Sequence, residues 1–222
     1  MVIDVFQLLT QITSLAAVDA VNPCTLTVQA LLLVTLVLTK GRKGALVGGV
    51  LFTATIYGMY LLYGLGILQI LYMAGAESIL KMVLRALLII MIIMEFYAFF
   101  RYRPGFRSLE MPMKLRPYAQ KLLKSVENPL MAIPIAALCS VLLLPCSSGP
   151  YLSALLILAG STVEKLAILL YYNLIFVLPM IAITLIAFFG MSPKRVLEWK
   201  EKYIRELHLI SGILLLIVFF MV

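Results

Sequence analysis

Apolar residues fill this chain in six long blocks, with the polar residues gathered between them. The blocks cover about 6–39, 45–73, 79–100, 130–160, 164–189 and 204–222. A helix of roughly 20 apolar residues crosses a bilayer, and each block is about that long or longer. None alternates apolar with polar positions, so barrel strands are not expected. The pattern predicts an all-α integral membrane protein with six transmembrane helices. Blocks one and four exceed one crossing, and each has a proline near its middle, Pro23 and Pro145. A helix interrupted inside the membrane needs extra residues to span it, so helices 1 and 4 are expected to be broken there.

Composition agrees with the pattern. Of 222 residues, 64% are hydrophobic and 13% charged, with a mean hydropathy of +1.10. Soluble domains are about 45–50% apolar. The start, Met1-Val2-Ile3-Asp4, lacks the basic flank of a signal peptide, so the first span is expected to be retained. The last span runs to Val222, and no soluble domain is expected after it.

Basic residues are unevenly placed. One connection holds Lys40, Arg42 and Lys43; the long loop of 101–129 holds Arg101, Arg103, Arg107, Lys114, Arg116, Lys121 and Lys124; a third holds Lys194, Arg195, Lys200, Lys202 and Arg205. The alternate connections have only Lys81, with Arg85 a turn further, and Lys165. The positive-inside rule puts the three basic connections in the cytosol and both termini outside. The net charge of +8 is then a property of the cytosolic face, suited to anionic lipid head groups. No aromatic-basic module suggests nucleic-acid binding.

Three spans, a loop and three spans suggest a duplication within a single membrane domain of 1–222, with repeat one at 1–100 and repeat two at 130–222. The repeats enter the membrane from opposite sides and so are inverted. Pro23-Cys24 is followed by Ala30-Leu31-Leu32-Leu33, and Pro145-Cys146 by Ala154-Leu155-Leu156-Ile157. Inverted repeats with discontinuous helices near the midplane can expose one site to either side in turn.

Candidate chemistry lies at the two breaks. Asn22-Pro23-Cys24 reads as a helix start: Asn22 as the cap, Pro23 at the first helical position, Cys24 in the first turn. Helix N-terminal N–H groups favour a thiolate. In Pro145-Cys146-Ser147-Ser148-Gly149-Pro150, Gly149 and Pro150 oppose a regular helix, and the serines can satisfy backbone groups. Either motif alone reads as a kink with a small apolar filler; two in corresponding places point to positioned thiols. Cys139 lacks the Pro-Cys context and reads as packing. On a helix it lies seven residues, or about 10 Å, from Cys146, beyond the roughly 7 Å between Cα atoms that a disulfide tolerates unless the helix unwinds.

These motifs resemble those of the CcdA family, the membrane domain of DsbD-type thiol reductases. Asn22-Pro23-Cys24, Leu144-Pro145-Cys146 and Gly149-Pro150 carry the resemblance, which extends over essentially the whole chain. It implies a reversible Cys24–Cys146 disulfide, reduced by cytosolic thioredoxin and reducing in turn an extracytoplasmic thioredoxin-like protein, usually for cytochrome c maturation. It implies a thiol–disulfide oxidoreductase of the cell membrane. Partners on opposite sides must each reach the same cysteines, so alternating access is expected, and no cofactor or metal is expected. Thr27 stands where the family often has a proline, and Asp19 ahead of Asn22 looks like an archaeal-type variant. The chain has no Cys-x-x-Cys, so thioredoxin-type motifs must come from partners. The rival reading is a solute or soft-metal exporter with thiol ligands.

Other polar residues in the spans carry expectations of their own. Asp19 is an intramembrane acid, which either buffers the thiol proton or caps backbone donors. Gln29 and Asn173 read as ties between helices. Glu95 is expected to snorkel toward Arg101, and His208 to lie at the interface. Gly44-x-x-x-Gly48 permits close helix approach, and Tyr57, Tyr60 and Tyr63 read as packing.

Overall fold

The computed structural model describes residues 5–21, 23–74, 77–101, 128–160, 164–190, 198 and 202–221; the side chains of 23–24, 72–74, 77–81, 83–84, 87, 142–148, 218 and 221 lie outside that description. Among the described residues there is no strand. The helices are α1 (Val5–Ala20), α2 (Pro23–Ala74), α3 (Glu77–Phe100), a 3-10 turn (Pro129–Met131), α4 (Ala132–Ala159), α5 (Lys165–Phe188) and α6 (Ile204–Met221). Helix therefore occupies each of the six apolar blocks. By length and composition, Thr25–Leu71 and Lys165–Phe188 are long and apolar enough to cross a membrane.

α2 is a hairpin. Its 52 residues in one straight helix would reach about 78 Å, more than twice a bilayer core. Gly41 interrupts it with φ 69° and ψ −173°, a left-handed φ that favours glycine. A Cβ on Gly48 would strike the Leu36 side chain, and one on Gly49 would come within 2.9 Å of Leu33. On an unbroken helix those partners would be about 18 and 24 Å apart along the axis. They meet because the chain turns back at Gly41, giving arms of 23–40 and 42–74. The Gly44-x-x-x-Gly48 spacing lets the second arm approach Pro129, whose Cα would lie 3.6 Å from a Cβ on Gly48.

The first expected break is present: α1 ends at Ala20, Val21 is a turn, and a new helix starts at Pro23. The second is not. α4 runs unbroken from Ala132 to Ala159, through Pro145 and Pro150, and this corrects the expectation of an interrupted fourth helix. A helix can carry an internal proline at the cost of one hydrogen bond and a kink. Pro134 sits in the first turn, where no donor is needed. Pro145 and Pro150 have no N–H to offer the carbonyls four residues back, those of Val141 and Cys146. Gly149 lacks a Cβ where Met91 of α3 packs against α4.

The two halves of the chain interlock. The principal helix pairings are α1 with α4, α5 and α6; α2 with α4 and α5; and α3 with α4 and α6. Each joins the first three helices to the last three.

The bundle is apolar outside and partly polar inside. On α5, Leu166, Leu170, Leu174, Leu178, Ile181 and Leu185 form an exposed stripe at three- and four-residue spacing. Its opposite, buried face carries Tyr172, Asn173 and Thr184. α6 repeats the arrangement, with Ile210, Ile213, Ile217 and Phe220 exposed and His208 and Ser211 buried.

Candidate functional site

α2 begins at Pro23, so the Cys24 backbone lies in the first turn of a helix. Proline suits that position because its missing N–H would have no intrahelical acceptor. Cys146 lies within α4. Asn22 and the side chains of Pro23, Cys24, Pro145 and Cys146 lie outside the described residues, as do Arg103, Arg107 and the rest of 102–127.

What flanks the two motifs is described, and it converges. Asp19, five residues before Cys24, is fully buried. The Tyr172 hydroxyl of α5 donates to Asp19 Oδ2 at 3.1 Å. Tyr151, five residues after Cys146, packs on Tyr172 with ring centroids 5.4 Å apart. The Tyr151 hydroxyl donates to the Tyr60 carbonyl on the second arm of α2. Gly64, one turn further along that arm, makes room: a Cβ there would strike the Tyr151 hydroxyl. Tyr60 stacks on Phe176 of α5 at 4.8 Å and meets Tyr151 edge-on at 5.4 Å. A carboxyl and three tyrosines from four helices thus form one buried cluster.

The residue five positions past each cysteine reaches into the other half. Tyr151 reaches α2, and Gln29 reaches α5, where its Nε2 donates to Thr184 Oγ1 at 2.7 Å. Thr184 in turn donates to the Met180 carbonyl at 2.9 Å. Gln29 is therefore a tie between helices, as expected. Asn173 donates to the Leu169 carbonyl of its own helix at 2.9 Å. Tyr57 and Tyr63 donate or share hydrogen bonds with the Leu170 carbonyl and Ser140 Oγ, and pack as expected.

One expectation is corrected: Glu95 does not reach out toward Arg101. Glu95 of α3 and His208 of α6 are both buried and meet at 2.6 Å, Oε2 to Nδ1. In an apolar interior each polar group is better satisfied by the other than by a distant surface. Gly212, one turn past His208, brings α6 close: a Cβ there would sit 3.4 Å from that of Glu95. At the α3 terminus Arg205 takes the place expected for Glu95's partner. Its Nε donates to the Phe99 carbonyl at 3.0 Å, where a cation suits the helix end.

Cys139 is fully buried in the apolar core. Among the described residues no group of three His, Cys, Asp or Glu side chains is placed to hold a metal ion. Comparison with known proteins finds no match among family models, curated proteins or solved structures.

The sequence flagged Asp19 but not its partners. Tyr151 was reachable, because it stands at the same offset from Cys146 as Gln29 from Cys24. Tyr172 had no such signal, since one tyrosine in an apolar span is ordinary. The Glu95–His208 pairing depends on which faces of α3 and α6 meet, which spacing does not reveal.

Proposed function

We propose that the chain is a transmembrane thiol–disulfide electron carrier of the CcdA type, with six spans arranged as two inverted repeats. Cys24 and Cys146 form its reversible disulfide. A cytosolic thioredoxin reduces the pair, and the pair reduces an extracytoplasmic thioredoxin-like protein, in an output that serves cytochrome c maturation. The observation that carries this reading is the buried polar cluster of Asp19, Tyr172, Tyr151 and Tyr60, in which Asp19 stands five residues before Cys24 and Tyr151 five after Cys146. Chains rarely bury such a group in an apolar bundle without a use for it. The helix start at Pro23 adds support, because it sets the Cys24 backbone in the first turn of a helix.

The membrane placement draws on the exposed leucine stripe of α5 and the polar residues behind it. The repeat reading draws on the two Pro-Cys motifs, one in the first apolar block and one in the fourth. The orientation, with both termini outside, draws on the basic connections. Arg42 at the Gly41 turn lies over Gly190 at the end of α5, so two of those connections share one end of the bundle.

Exchange requires a mixed disulfide with each partner. Serine at Cys146, or at Cys24, should leave the remaining thiol to trap a cellular thioredoxin as a covalent adduct on a non-reducing gel. Absence of an adduct from both variants contradicts the reading.

A further inference from the structure

Three connections of the bundle meet at one end. Arg42, in the turn of the α2 hairpin, lies over Gly190 at the end of α5, where a Cβ would come within 2.7 Å of the guanidinium carbon. Gly44, two residues past Arg42, faces the entry to α4. A Cβ there would sit 3.8 Å from the Pro129 ring and would strike the Lys40 side chain. Lys40, Arg42 and Lys43 therefore stand where the α2 turn, the α4 entry and the α5 exit come together. All three are exposed.

Cations elsewhere on the bundle are engaged. Arg205 donates to the Phe99 carbonyl and lies over the Phe99 ring. Lys165 donates to the Ala159 carbonyl at 3.1 Å, and Lys202 lies over the Tyr203 ring at 5.2 Å. Lys40, Arg42 and Lys43 make no ion pair among the described residues. Like charges this close in the chain repel one another and gain from a shared anion.

The surroundings indicate which anion. Leu38, two residues before Lys40, is 78% exposed; Phe189, beside Gly190, is 76% exposed; Leu130, beside Pro129, is 61% exposed. Large apolar side chains left open next to a cation cluster mark a membrane boundary, with hydrocarbon on one side and head groups on the other. A soluble acidic partner would answer the charges and not the apolar residues. A lipid answers both.

We propose that Lys40, Arg42 and Lys43 bind the phosphate of an anionic phospholipid at the face where α2 turns, with its acyl chains against the apolar residues beside them. The Arg42 fork suits two-point contact with a phosphate, and the lysines add charge. A lipid held there ties the α2 turn to the end of α5. The inference rests on the membrane placement and uses none of the thiol chemistry.

The test uses the whole protein in a neutral detergent, titrated with phosphatidylglycerol or with phosphatidylcholine of the same chains, and read by native mass spectrometry. Each cation near a membrane surface is worth about fivefold toward an anionic lipid, so the wild type should prefer phosphatidylglycerol by about a hundredfold. Lys40→Gln with Arg42→Gln should weaken phosphatidylglycerol binding by about thirtyfold, and Lys43→Gln alone, at an exposed side chain, by about fivefold. Arg101→Gln with Lys202→Gln removes the same charge elsewhere and should stay close to the wild type. Equal affinity of the wild type for the two lipids overturns the proposal even if a variant does not fold, and so does an equal loss in both double variants. Displacement of the lipid by millimolar inorganic phosphate would assign the cations to a free anion, and preference for polyglutamate would assign them to an acidic protein; either result overturns it. Trapping of thioredoxin decides the thiol reading separately, so failure of one leaves the other standing.

Discussion

Mild oxidation of the purified protein should join Cys24 to Cys146 and leave Cys139 a thiol. The structure tightens the argument against Cys139. Pairing it with Cys146 requires α4 to unwind between them, and α4 is continuous over that stretch. Seven residues of helix hold the two Cα atoms about 10 Å apart, against a limit of roughly 7 Å. Cys139 is also fully buried among apolar side chains, where a thiol is inert. Alkylation before and after reduction, followed by peptide mass mapping, should find Cys24 and Cys146 protected together in nearly every oxidised molecule. Replacing Cys24 with serine should expose Cys146 to the reagent. A major species with Cys139 in the disulfide defeats the assignment.

The second large effect concerns stability. Glu95 and His208 satisfy each other at 2.6 Å between α3 and α6, both buried. Removing one partner of a buried pair strands the other, at a cost of about 3–5 kcal/mol; replacing both with apolar residues of similar size is often neutral. Glu95→Leu and His208→Leu should therefore each lower the unfolding midpoint in a detergent titration sharply. The double variant should recover most of the loss. Equal and additive losses would mean that the contact contributes nothing as a pair.

Much of the architecture was legible in the sequence. Hydropathy located the helical stretches: helix fills each apolar block, because a block of that length has few ways other than a helix to satisfy its backbone. Asn22-Pro23 marked a helix start, since proline at the first turn needs no donor partner. The same reasoning failed at Pro145. Proline signals a lost hydrogen bond, but neighbouring helices decide whether the loss ends the helix or bends it. At Gly149 the close seat of Met91 holds α3 against α4 as the helix continues. The turn between the first two apolar blocks was implied by Lys40, Arg42 and Lys43, and the φ of 69° at Gly41 gives the reason for the glycine among them. The candidate site was half visible. Asp19 announced itself as an acid in an apolar block, whereas Tyr172, Tyr151 and Tyr60 look like any membrane aromatics until α2, α4 and α5 are packed together. Glu95 was misread for a similar reason: along the sequence its nearest cation is Arg101, but across the bundle its partner is His208.

The central claim is that reducing equivalents cross the membrane through Cys24 and Cys146. The direct measurement uses the protein reconstituted in lipid vesicles, with reduced thioredoxin outside and an oxidised thioredoxin-fold reporter sealed inside. The account predicts that the enclosed reporter is reduced by the wild type and by Cys139→Ser. With Cys24→Ser or Cys146→Ser, reduction should fall to the rate of protein-free vesicles. Transfer that persists in both of those serine variants, or that never occurs with the wild type, would contradict it.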